Sequence, residues 1–478
     1  MNKSYIYLFY FALFVTIAST TSCKKTTFYS TENLSFSADT LVFDTVFTTI
    51  GSTTQQFKIY NNDSKTITIS EMELMGGSGS PFRINVDGVS GTNLAEVELE
   101  GNDSLFVFVE VTLDANNGTQ PMIIEDRVRF KTNGTDQYVV LVAYGQDAYF
   151  HTTIFSQGIL DLNEGIWAND KPHVIYGAAI IDSAKSLTIQ QGTDIYIHDG
   201  AYLFNYKGEL NIEGSESSPV TFQGDRLEAA YDDVSGAYYG IYMQEALPST
   251  INYAVIKNAT AGIHMFSKDP TINTDYTLKV SNTVIQNCAS YGVFLYAGAK
   301  IKAENCLITG NGVHALLVLE GGDFNFNHCH LLGYGNGASP GAAVGISNHF
   351  VRDNIDYIAS IDEGRITNSV IYGFADYELA YDTIPDPGIT LDFFMANNLI
   401  KSDDIFTDPF FTAGAANLWN IDPQFVDVTE KDFTYNAGPL LDGGSATYPN
   451  TIIQAIFTSL NAQPRPAGSA RDIGAYEF

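Results

Sequence analysis

The sequence predicts an all-β protein made of a sandwich followed by a solenoid. Three observations carry this reading. Residues 34–145 hold seven or more short alternating strands punctuated by turn residues. From residue 187 onward, strands of three to five residues alternate with glycine turns. Between Leu278 and Leu331 the chain repeats at a fixed step of 23 residues, and a step of that size marks a stack of similar coils. In the repeat Leu278, Ile301 and Phe324 are in phase, as are Val280, Ala303 and Phe326. Asn282, Asn305 and His328 follow, then Thr283, Cys306 and Cys329.

The elements follow in chain order. Residues 1–22 open with Lys3, continue as an apolar run from Tyr5 to Ala18 and end in small polar residues, the pattern of a secretory signal peptide. The run is too short for a membrane span. Thr20-Thr21-Ser22-Cys23 resembles the lipobox of bacterial lipoproteins, which implies lipidation of Cys23 after cleavage and a membrane partner held through that lipid. Residues 23–33 then form a tether. The absence of an acid at Lys24-Lys25 points to the outer membrane of the cell envelope, with its periplasmic and surface faces both open.

Residues 34–148 carry the spacing of an immunoglobulin-like β-sandwich. Lys65-Thr-Ile-Thr-Ile-Ser and Leu105-Phe-Val-Phe-Val-Glu-Val alternate at period two, and Asn61-Asn62-Asp63-Ser64, Gly88 and Asn133-Gly134 mark turns. Past Ala148 the character changes. The recurring Asn282-Thr-Val-Ile, Asn305-Cys-Leu-Ile, Asn368-Ser-Val-Ile and Asn397-Asn-Leu-Ile resemble the asparagine ladder of right-handed parallel β-helix proteins of the pectate-lyase-like superfamily. That resemblance implies a right-handed parallel β-helix over residues 150–420. The ending Asp472-Ile-Gly-Ala-Tyr-Glu-Phe478 resembles the DIGAYE-type close of secreted bacterial β-helix proteins, and residues 421–478 read as a C-terminal cap, since a solenoid must cover its open end.

Composition narrows the function. Against 55 acidic residues stand 24 basic ones, a net charge of −31. No nucleic-acid partner is expected, because phosphate contacts need a basic excess. Cys288, Cys306 and Cys329 lack metal-ligand spacing. The last two, one repeat apart, read as small buried side chains in a core column, with a disulfide as the alternative.

Two stretches interrupt the repeat, Gly224 to Gly240 and Tyr334 to Ile361, and insertions in solenoids map to loops on the binding face. The first supplies the candidate ligand or metal loop: Asp225, Asp232 and Asp233 as oxygen ligands for calcium, and Tyr231, Tyr238 and Tyr239 as platforms for sugar rings. Lys279 and Lys302, one repeat apart, form a candidate basic pair, with Arg365 as a further base. In the lyases of the resembled superfamily, acids hold calcium and a base removes the proton α to a uronate carboxylate, a step that needs a base within hydrogen-bond reach. The GHG and RIK motifs of the pectinolytic hydrolases are missing. Histidines 264, 314, 328, 330 and 349 are scattered. The sequence therefore favours a non-catalytic scaffold that binds a polysaccharide or an envelope protein, with a polysaccharide lyase as the alternative.

Overall fold

The computed structural model describes residues 29–48, 51–115, 122–152, 165–268, 275–335, 337, 341–449, 451–452 and 460–478. The segment expected to be a signal peptide, and Cys23 after it, lie outside the described residues. The chain divides into two compact units, Met1–Gln146 and Asp147–Phe478.

The first unit is a β-sandwich. One sheet orders its strands Ser35–Phe36, Gln55–Tyr60, Ser104–Val111, Phe82–Val86 and Val89–Ser90; the other orders Thr40–Phe47, Thr135–Gln146, Met122–Thr132, Ile67–Leu74 and Asn93–Leu99. Pairing is antiparallel except where Thr135–Gln146 runs parallel to Thr40–Phe47. Period-two alternation decides the faces. In Ser104–Val111, Val107, Val109 and Val111 are buried, while Phe106, Phe108 and Glu110 face out. The buried side meets Phe57, Ile59, Val128, Phe130 and Leu141 in one core.

The second unit is a parallel β-helix. A complete coil contributes one strand to each of three sheets. Ser186–Gln190 belongs to the first sheet, Asp194–Ile197 to the second and Tyr202–Tyr206 to the third, and Glu209–Glu213 returns to the first. Among the described residues the sheets hold nine, eleven and eight strands. Tyr149–Thr152 already pairs in parallel with His173–Tyr176. Inward positions stack in columns, one of which runs Ile189, Ile212, Ile251, Val280, Ala303, Phe326, Ile366 and Met395. The 23-residue phase is real: Leu278 opposes Ile301, and Ile301 opposes Phe324.

The tight turn between the first and second sheets explains the recurring asparagine. Asn282, Asn305, Asn368 and Asn397 all sit at positive φ, between 48° and 59°, where asparagine is tolerated better than most residues. Their amides bond from coil to coil: Asn305 Nδ2 donates to Asn282 Oδ1 at 3.1 Å, and Asn397 Nδ2 to Asn368 Oδ1 at 2.8 Å. The next position is a column of small side chains. Thr283 Oγ1, Cys306 Sγ, Cys329 Sγ and Ser369 Oγ each donate to the carbonyl two residues earlier. Cys306 and Cys329 are therefore buried free thiols in a core column, not a disulfide.

Two parts of the sequence reading change. Within the second interruption, Val344–Ser347 is a regular strand of the third sheet. The segment after it leaves the coil, as the antiparallel hairpin His349–Arg352 with Ile355–Ile358. The C-terminal segment also takes a different place. The last coil is plugged by Phe406, Phe410, Phe411 and Trp419, around the short helix Pro409–Thr412. The described residues of 421–478 instead lie along the flank of the coils. Phe433, Tyr435, Leu440 and Ile473 pack on the outward side chains Leu307, Leu332, Val370 and Leu399 of the second sheet.

Candidate functional site

The structure disperses the loop residues that the sequence singles out. Asp225 Oδ2 lies 2.7 Å from His198 Nδ1 and accepts the Tyr176 hydroxyl at 3.2 Å. Asp233 pairs with Lys431 at 2.8 Å. The backbone carbonyl of Asp232 accepts from Asn258 Nδ2 at 2.9 Å. The Arg226 guanidinium covers the Tyr231 ring at 4.0 Å. Tyr238 is 1% exposed and belongs to the helix core, so it offers no platform to a ligand. Among the described residues no group of three His, Cys, Asp or Glu side chains is placed to hold a metal ion. The carboxylates of Asp225 and Asp233 thus turn to separate partners, while Asp232 is held through its backbone carbonyl.

The lysine pair is adjacent, as its spacing requires, with Lys279 opposite Lys302 on neighbouring strands of the first sheet. Each lysine is engaged elsewhere. Lys279 pairs with Asp275 at 2.8 Å. Lys302 bonds the Thr451 hydroxyl and lies 4.0 Å from the buried carboxylate of Glu304. Arg365 pairs with Asp392 at 2.8 Å and covers the Phe394 ring. A pocket of about 250 Å³ joins Lys302, Glu304, Glu363 and Arg365 but includes none of the three aspartates. The histidines do not form one cluster either. His328 and His330 are buried under the C-terminal segment, and His349 sits between Asp356 and Asp382.

What the structure assembles is an aromatic face on the third sheet. Strand Tyr202–Tyr206 points Tyr202, Phe204 and Tyr206 outward and buries Leu203 and Asn205. Phe204 opposes Tyr242, Tyr242 opposes His264, and His264 opposes Phe294. The ring centroids in this row are 5.1, 4.8 and 4.6 Å apart. A second row places Phe266 opposite Tyr296. On the other side Tyr291 opposes His314, with rings 9° from parallel. Tyr239, the one loop tyrosine that joins this face, shares a 2.6 Å hydrogen bond with His264 Nδ1. Burial holds the His264 pKa down at about 4, so the imidazole is neutral at pH 7 and adds no charge.

The five strands Tyr202–Tyr206, Gly240–Gln244, Ala261–Phe266, Tyr291–Tyr296 and His314–Leu319 contain no Asp, Glu, Lys or Arg. Ring faces in the central row are shared with neighbours, so a ligand meets ring edges and phenolic hydroxyls. The sequence signal for this surface is the alternation in Tyr202-Leu-Phe204-Asn-Tyr206 and in Phe294-Leu-Tyr296.

A family model described as a right handed beta helix region matches residues 84–331, and the chain belongs to that family. The match begins inside the sandwich, whereas the parallel strands start at Tyr149. No curated protein matches the chain. Among solved structures, the chain is similar to a family 123 glycoside hydrolase from Clostridium perfringens at 7% identity and TM-score 0.18, covering 25% of this chain and 30% of that one. It is similar to the E. coli chaperone DraB at 11% identity and TM-score 0.18, covering 25% and 58%. It is also similar to the catalytic domain of a GH87 alpha-1,3-glucanase at 10% identity and TM-score 0.21, covering 73% and 81%. The chain thus spans less than two thirds of the first two structures. At such TM-scores the likenesses carry no functional argument, and the site must speak for itself.

Proposed function

We propose that this protein is a lipid-anchored envelope protein whose β-helix binds a glycan along the aromatic face of its third sheet, without cleaving it. The observation that carries this reading is the uncharged row Phe204, Tyr242, His264 and Phe294, in register on four successive coils. Parallel strands repeat every ~4.8 Å, so the face offers a repeating polymer the same contact at each coil. Half-buried aromatics with polar tips suit sugars, which present apolar C–H faces beside hydroxyls. A polyanion is disfavoured, because the face has no cation to meet it in a chain of net charge −31. The non-catalytic part is supported by Asp225, Asp233, Lys279 and Arg365, each of which pairs with a group within the protein.

The test is affinity electrophoresis and calorimetry against a panel of neutral polysaccharides. The wild-type protein is expected to bind at least one of them and to release no new reducing ends. Tyr242→Ala and Phe294→Ala should each weaken binding roughly three- to tenfold, the scale of one lost aromatic contact. Full affinity in both variants, or capture of a protein with no affinity for any glycan, overturns the reading. Anchoring through Cys23 is supported by the Lys3 start, the apolar run and the Thr20-Thr21-Ser22-Cys23 segment. Cys23→Ala is expected to move the protein out of the membrane fraction, and its retention there would sink the anchor.

A further inference from the structure

Beside the aromatic face, where the chain turns from the third sheet back to the first, lies a pocket of about 490 Å³. That size is within the ~300–1,000 Å³ range of small-molecule sites. Glu320, Asp323, Asp362, Lys268 and Lys300 line it, with backbone from Ala297 and Gly298. Several of its polar groups are already engaged. Lys300 pairs with Asp323 Oδ2 at 2.9 Å, and Asp323 Oδ1 accepts the backbone N–H groups of Asp362 and Glu363. Glu320 differs. It is 7% exposed; the Tyr296 hydroxyl and the Arg352 guanidinium face its carboxylate, yet its Oε2 is buried without a hydrogen bond. A buried carboxylate oxygen left without a donor is costly, and Glu320 stands in the wall of a cavity large enough to admit donors.

The pocket is continuous with the face. Tyr296 closes the strand Tyr291–Tyr296 on the aromatic face and leads directly into Ala297 and Gly298. Its hydroxyl accepts from Arg352 Nη1 at 2.9 Å, and Arg352 comes from the hairpin that breaks the repeat. The Phe350 ring of the same hairpin meets Tyr296 edge-on at 6.3 Å. The hairpin therefore stands as a wall at the rim where face and pocket meet.

We infer that this pocket is a subsite that holds one sugar unit of the glycan bound along the face, and that it selects a unit bearing hydrogen-bond donors and no carboxylate. The inference rests on the glycan reading above. Its chemistry is separate: Lys300 is held by Asp323, and Arg352 and Lys268 balance Glu320 and Asp362. No cation is left over to meet a uronate, and the open Oε2 of Glu320 rewards hydroxyl or ammonium donors.

The experiment is calorimetric titration of the full-length protein with gluco-oligosaccharides of several linkages, with chitosan oligosaccharides and with oligogalacturonate. The wild type is expected to take a neutral or amino oligosaccharide and to refuse the oligogalacturonate. Glu320→Gln should cost about tenfold in affinity for the preferred ligand, the scale of a hydrogen bond to a charged group, and should narrow the discrimination against the uronate. Asp362→Asn, at an exposed position, should narrow that discrimination with no change in melting temperature. Unchanged affinity and selectivity in both variants, while Tyr242→Ala weakens binding, overturns the subsite and leaves the aromatic face standing. Loss in Glu320→Gln with full affinity in Tyr242→Ala overturns the face and keeps the pocket. No binding across the panel overturns both.

Discussion

Glu378 shows how much a single buried acid does in this fold. Its carboxylate is fully buried. Oε2 accepts the Ala343 N–H at 2.8 Å and Oε1 the Ala375 N–H at 2.7 Å, so one side chain ties the second interruption to the next coil. Gly333 and Gly373 make room for it, since a Cβ at either would lie within about 2.2 Å of a carboxylate oxygen. Burial raises its pKa to about 7, against the pull of the two N–H groups and of Lys401. An acid whose folded pKa lies above its unfolded value binds extra protons in the native state. Its contribution to stability is therefore full below about pH 4.5 and is lost as the pH rises through about 7. Thermal melts of Glu378→Gln across pH 4 to 8 are expected to lack the part of the wild-type slope that falls between those two values. An unchanged slope would show that folding leaves the carboxyl's pKa where it stands in the unfolded chain.

At the scale of the element, the coils were open to reading and the face they build was not. Strands such as Leu278-Lys-Val-Ser and Ile301-Lys-Ala-Glu announce themselves because their inward columns must be apolar and their turn residue must tolerate positive φ. The lysine register and the Cys306 column follow from that spacing, and the Asn282 and Asn305 ladder from the resemblance to parallel β-helix proteins. The aromatic row does not share it. Phe204 to Tyr242 is 242 − 204 = 38 residues, Tyr242 to His264 is 22, and His264 to Phe294 is 30. Loops of unequal length between strands hide a register that hydrogen bonding restores in space. The same effect misdirects attention to the Asp225–Asp233 loop. Its acids are conspicuous in sequence because they interrupt a pattern, yet His198, Asn258 and Lys431 take up that segment. Tyr238 reads as a loop tyrosine and is core, because the chain has already rejoined the coil where it pairs with Ala259.

For the whole molecule, the segment after residue 420 decides whether the β-helix can stand in water. Its closing residues are specific. Arg465 and Glu477 form a fully buried pair at 2.6 Å, and Arg465 Nη2 also donates to the Gly474 carbonyl. Asp472 accepts from the Asp442 and Phe478 N–H groups. Gly474 has φ 101°, and a Cβ there would meet the His330 ring at 2.7 Å, so the close of the chain fits against the coils like a latch. Beneath it lie outward apolar side chains in adjacent rows, Leu307, Val370 and Leu399 in one and Leu332 in the next, against which Phe433, Tyr435, Leu440 and Ile473 pack. Removing one partner of a buried ion pair costs about 3–5 kcal/mol, and uncovering contiguous apolar rows invites association. A chain ending at residue 420 keeps the Phe411 and Trp419 plug, so its coils are still closed at the end. It is nonetheless expected to self-associate in size-exclusion chromatography and to melt well below the full-length protein. Arg465→Met in the full chain should lower the melting temperature without exposing the rows, and so remain monomeric. If the shortened chain is monomeric and melts with the full-length protein, the flank segment is dispensable to the solenoid, and the plug at Trp419 is all the closure the coils require.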